Sequence, residues 1–210
     1  MHRTRYCCGV ILVALVLAAL APRATLAYNP TAAASYADQW AATSNPSYPV
    51  FTGDDCTNFV SQALHAGGIS MVSSYVGGDR STLKNWFVSG TSTDNASFSW
   101  SIAFDQLQWL YWQTYGGLAR IYGPTQGSGS RSGVSVGDVL YFDWDDSNRY
   151  GVSHSVIQVG YGTDPNGWVG DLVDQHSVSR KHAFWNLGDY NANNQATTMI
   201  TRIHIDPNTP

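Results

Sequence analysis

Beyond residues 1–27 the chain holds one cysteine, Cys56. No internal disulfide can staple it, so the fold has to stand on its hydrophobic core. About 183 of the 210 residues follow that opening segment, enough for one domain with a proper core. The eight Trp and twelve Tyr of the sequence bring large apolar surfaces with polar handles. Such residues suit a core that rises into a lined groove.

Residues 1–27 read as a secretion signal. His2, Arg3 and Arg5 give a basic start, Cys7 to Ala21 an apolar run, and Thr25-Leu26-Ala27 small residues for cleavage. The run of about 15 residues is too short to span a bilayer, and no later segment approaches that length. The protein is therefore expected to be exported, extracellular or wall-associated, without integral membrane association, its domain occupying residues 28–210. Loss of Arg3, Arg5 and Arg23 with the signal leaves eight basic residues against fifteen acidic ones, a net charge of −7. That balance argues against nucleic-acid binding, which needs a basic face. Every acidic residue is Asp. The absence of Glu removes His-Glu-x-x-His metallopeptidases and glycosidases built on a Glu acid.

Asn29-Pro30 reads as a helix start, with Ala33, Tyr36, Ala37, Trp40 and Ala41 at helical spacing. Asp55 is placed to cap a second helix beginning at Cys56, with Phe59, Val60, Ala63 and Leu64 on its buried face and Gly67-Gly68 at its end. A third helix is expected from about Ser101 to Tyr115, and the Gly/Ser-rich stretch Gly123 to Gly133 reads as a loop. Strands are expected at Val139 to Phe142, Ser155 to Tyr161, Trp168 to Val173 and Thr198 to Ile205. Helices followed by strands predict an α+β domain rather than alternating βαβ units.

A lone cysteine at a helix start is either a small buried hydrophobe or a nucleophile. The helix N-terminus favours a thiolate and can line an oxyanion site. A cysteine nucleophile needs a histidine base. His65 lies nine residues along the same helix, more than about 10 Å from Cys56, and is excluded. His154 opens a strand and is the candidate base. The segment Asp174-Gln175-His176 follows the next strand and can return beside it; Asp174 and His176 share one face and Gln175 takes the other. Either Asp174 or His176 could orient the base. His182 and His204 read as surface histidines. Two metal readings are weaker. Asp143 to Asn148 has calcium-loop composition but lacks the glycine and the terminal Glu of an EF-hand. Cys56, His154 and His176 could be zinc ligands, but without close-spaced ligand pairs.

The run Asp55-Cys56-Thr57-Asn58-Phe59-Val60-Ser61-Gln62, followed by Leu64-His65-Ala66-Gly67-Gly68-Ile69, resembles the motif of the secreted "putative amidase domain" family. Tyr28-Asn29 with Ala33, Tyr36-Ala37 and Trp40-Ala41 resembles its opening helix. Val136 to Trp144, Ser153 to Ile157 and Gln175-His176-Ser177 resemble its later blocks in order. That family is related to the NlpC-type and CHAP enzymes, which have a papain-like fold. The resemblance implies N-terminal helices, including the nucleophile helix, packed on an antiparallel sheet. It implies Cys56 as nucleophile, His154 as base and His176 as third residue, with Asp174 as the alternative. It also implies a monomeric amide hydrolase that needs no cofactor or metal and acts on peptidoglycan or a related peptide. A non-catalytic glycan- or peptide-binding module on the same fold, or a zinc-dependent amidase, remain the alternatives.

Overall fold

Asn29 starts the first helix, α1 (Pro30–Trp40): its side-chain oxygen accepts the Ala32 N–H at 3.0 Å, and Pro30 sits where a missing N–H costs nothing. The computed structural model describes residues 27–73, 79–114, 119–145 and 151–207. All of the expected signal except Ala27 lies outside them. Ala33, Ala37 and Ala41 are fully buried, so α1 lies close against α2 (Cys56–Ala66). The chain ends α2 at Gly67, where an added Cβ would strike the Tyr28 ring.

The second helix is buried all round, from Cys56 to Leu64, not only on its apolar face. Phe59, Val60 and Leu64 each contribute about 1.5–3 kcal/mol by leaving water. Its polar residues are satisfied by distant partners. Ser61 Oγ donates to the Trp100 carbonyl at 2.8 Å and accepts from Trp86 Nε1 at 3.1 Å and Gln106 Nε2 at 2.6 Å. Asn58 accepts from Trp100 Nε1 at 2.8 Å. Trp86 stacks between Trp100 and Trp109, with centroids 4.7 and 4.9 Å away, and this aromatic cluster closes the helical side of the core.

The expected third helix is two helices, α3 (Phe98–Ser101) and α4 (Ala103–Thr114). The break is Ile102, whose backbone is extended, at φ −116° and ψ 126°. Six strands follow: β1 (Ala119–Gln126), β2 (Val139–Asp143), β3 (Val152–Thr163), β4 (Val169–Gln175), β5 (Arg180–Phe184) and β6 (Met199–Ile205). They form one antiparallel sheet in the order β1-β6-β2-β3-β4-β5. The α+β expectation holds at this level. The stretch read as a loop from Gly123 begins inside β1. That strand tolerates Gly123, at φ +76°, and Pro124 because it is an edge strand with a register shift there.

Both faces of the sheet are covered. Val139, Tyr141, Ile157 and Ile203 face the helices, while Leu140, Phe142, Val156, Val173 and Ile200 pack beneath Phe184, Trp185 and Leu187. This explains why β2 reads as an unbroken apolar run, Val139-Leu140-Tyr141-Phe142. Among the described residues no helix is long and apolar enough to cross a membrane.

Candidate active site

Cys56 is the first residue of α2, and its side chain meets β3 where that strand enters the sheet. Only 5% of Cys56 is exposed. Burial alone pushes a thiol up. The His154 imidazole, which bonds and charges against it, outweighs that effect together with the Thr57 hydroxyl and the Ser155 N–H, and the thiol is held down to about 6. Thr57 Oγ1 lies 3.6 Å from Sγ and accepts from Ser155 Oγ at 3.2 Å, so the hydroxyls beside the sulfur are themselves fixed.

His154 sits in β3 with its ring against Trp144 at a centroid distance of 5.7 Å. Its Nε2 lies 2.8 Å from Gln175 Oε1 in β4. The Gln175 amide is not free to turn, because its Nε2 donates to the Val178 carbonyl at 3.0 Å. Its oxygen must then face His154, which fixes the hydrogen on His154 Nε2 and leaves Nδ1 for the sulfur.

Gln175 thus holds the place expected for His176 or Asp174. The cause is strand register. Ile157 pairs with Asp174, which puts Asp174 on the helix-facing side with Ile157 and turns Gln175 to the opposite side, with Val156 and His154. His176 stacks on Phe59 at 4.2 Å instead. Its Nδ1 lies 2.7 Å from Asp55 Oδ2 and its Nε2 lies 2.8 Å from the Trp40 carbonyl. Both ring nitrogens meet oxygens, so the ring is held on two sides, with the Asp55 carboxylate at one of them. Asp55 occupies the N-cap position without a side-chain cap bond; its Oδ1 accepts from the Phe51 N–H at 2.8 Å and from Asn58 Nδ2 at 2.9 Å. Asp174 Oδ1 accepts the His182 N–H at 2.6 Å, near Asp38 of α1. Burial, the largest effect, pushes its carboxyl up to about 6.

Nor does the structure gather Cys56, His154 and His176 as metal ligands. Among the described residues the grouping of metal-type side chains is Asp38, Asp174 and His182. Lys181 Nζ already lies 3.5 Å from Asp38 there. In the acidic turn, Asp143 Oδ1 accepts the Asp145 N–H at 3.2 Å, and residues 146–148 lie outside the described set. His182 and His204 each have a carboxylate partner, Asp38 at 2.6 Å and Asp138 at 2.8 Å, rather than bare solvent.

A cleft of about 470 Å³ opens over Cys56, with Phe51, Phe98, Ile102 and Val152 as apolar wall and Asp54 and Arg80 as its charges. Phe51, Asp54 and Arg80 also line a neighbouring hollow of about 440 Å³. The arrangement joins a thiol held low, an imidazole with a set tautomer and an amide that sets it, beside an open cleft.

The chain belongs to the family described as "Putative amidase domain", which it matches over residues 27–200. An amidase-type hydrolase is the class that this membership supports. The chain is 27% identical over 165 residues to the uncharacterized protein YhbB of Bacillus subtilis (strain 168). That match covers 79% of this chain and 46% of YhbB, so the chain spans less than half the length of this relative. No solved structure matches the chain.

Proposed function

We propose that the protein is an exported amide-bond hydrolase whose nucleophile is Cys56 and whose base is His154, oriented by Gln175. The observation that carries this reading is the connected row of thiol, imidazole and amide, with the thiol held down to about 6 while 5% exposed. In this mechanism the Cys56 thiolate attacks the carbonyl carbon, and His154 protonates the leaving amine. His154 then takes a proton from water, which releases the acid. No step calls for a metal or cofactor. The plan of a nucleophile helix against an antiparallel sheet carrying base and amide supports a papain-like, NlpC- or CHAP-related reading.

Peptidoglycan is the proposed substrate class, cut at the sugar–peptide amide or within the stem peptide. The cleft's pair of opposite charges, Asp54 and Arg80, favours a peptide bearing both amine and carboxylate groups. The test is mass spectrometry of fragments from purified peptidoglycan treated with wild-type protein and with Cys56→Ser. New fragments with the wild type and none with the variant, which still binds the wall, support hydrolysis. Wall binding without cleavage by either protein would make it a binding module.

A further inference from the structure

We propose that Ser177 is the side-chain donor of the oxyanion site, an inference that rests on the cysteine-nucleophile reading above. A thioester-forming attack needs donors aimed at the carbonyl oxygen, and the N–H of the nucleophile itself is the nearest available. In α2 the first N–H with a partner inside the helix is that of Phe59, on the Asp55 carbonyl at 3.0 Å. The Cys56 N–H instead donates to Ser177 Oγ at 3.1 Å, across 121 residues of sequence.

Ser177 reaches that place at φ +75°, a left-handed conformation that a serine adopts only when its surroundings hold it there. The surroundings are specific. Gln175 and His176, the two residues before it, are pinned by His154 and by Asp55 and Trp40, and Gln175 Nε2 ties down the carbonyl of Val178 just after it. The hydroxyl is thus carried on the same short segment that orients the base. The residue itself is exposed, while the Cys56 whose N–H it accepts is buried. Among the described residues its oxygen has this one hydrogen-bond partner, so its own hydrogen is available. The side chains just ahead of Cys56, Asp54 and Asp55, are carboxylates that repel an oxyanion; a hydroxyl donor has to come from elsewhere.

In the resting protein Ser177 Oγ occupies the Cys56 N–H. When a carbonyl enters the cleft, its oxygen takes that N–H, and the Ser177 hydroxyl turns to donate to it. The Sγ–C bond forms as the carbonyl π pair moves onto oxygen, where both donors hold the charge. Return of that pair breaks the C–N bond, and the amine leaves with the proton from His154.

Two reagents separate this role from a structural one, with no need to know the natural substrate. p-Nitrophenyl acetate acylates Cys56 through a tetrahedral oxyanion. Iodoacetamide alkylates the same sulfur by displacement at a saturated carbon, with no oxyanion. In Ser177→Ala the acylation rate is expected to fall on the order of 100-fold, while alkylation stays within about twofold of wild type. Ser177→Gly should behave alike, and because glycine takes a positive φ without strain it keeps the test valid should the alanine variant fold poorly. Unchanged acylation in both variants, or acylation and alkylation falling together, overturns the role of Ser177. A wild-type Cys56 inert to both reagents overturns the cysteine-nucleophile reading, and this proposal with it.

Discussion

His154 and Gln175 are joined by a 2.8 Å hydrogen bond between adjacent strands, and the second bond of the Gln175 amide, to the Val178 carbonyl, makes that contact directional. An imidazole held this way keeps Nδ1 toward the sulfur. The bond separates the two neighbours Gln175 and His176 into different tasks. Gln175 holds the His154 imidazole, and His176 pairs with Asp55 at the start of α2.

Gln175→Ala should lower turnover roughly 10- to 100-fold, a part of what a positioned general base contributes, with the melting temperature little changed. His176→Ala should act mainly on stability. It leaves the Asp55 carboxylate, 5% exposed, without its imidazole partner, a loss of about 1–3 kcal/mol for a buried acceptor left unpaired. Thermal unfolding and turnover of the two variants, measured together, check the division. Similar melting temperatures for both, or a larger loss of turnover in the stable fraction of His176→Ala, would return the orienting role to His176.

The Cys56 thiol, held down to about 6, should be alkylated by iodoacetamide along a titration curve centred near that pH rather than near that of an ordinary thiol. At pH 6 the larger thiolate fraction, roughly 100-fold, is partly offset by the weaker nucleophilicity of a more acidic thiol. A net advantage of about 10-fold over a free-cysteine peptide is expected. A curve centred above pH 8, or labelling that waits for denaturant, would mean an inert buried cysteine.

Asp174 gives a pH dependence of the opposite kind. Its carboxyl is raised to about 6 by burial, so ionisation opposes folding. The cost is absent below the unfolded value near 4, grows as the pH rises to about 6 and is complete above it, reaching roughly 3 kcal/mol. Asp174→Asn keeps an acceptor for the His182 N–H and removes the titration. The melting temperature of the variant minus that of the wild type should therefore rise between pH 4 and pH 7 and then level, with turnover near normal. A flat difference would contradict the raised carboxyl.

The sequence made some of this readable. The caps and spacing of Asn29-Pro30 and of the run from Cys56 mark α1 and α2, and apolar runs mark β2, β3, β4 and β6. The edge strands β1 and β5 were hidden because Gly123, Pro124 and a polar Arg180-Lys181-His182 break the pattern that a buried strand shows. Cys56 and His154 were legible as a residue at a helix start and one near a strand start, and the structure brings the two side chains together. The partner of His154 was not. The period of two puts Gln175 opposite in face to Asp174 and His176, but which face meets His154 depends on the pairing of Ile157 with Asp174, and no local pattern carries that register. Ser177 was equally silent, since its contact with Cys56 spans most of the domain.

The most direct measurement is peptide mapping by mass spectrometry after acid quench of the protein turning over purified peptidoglycan fragments. An acyl group from the substrate on the peptide bearing Cys56 is predicted, accumulating further in His154→Ala if acylation still proceeds there, and absent in Cys56→Ser. Cleavage of the same fragments by Cys56→Ser at the wild-type rate, with no adduct on the wild type, would contradict a covalent cysteine mechanism.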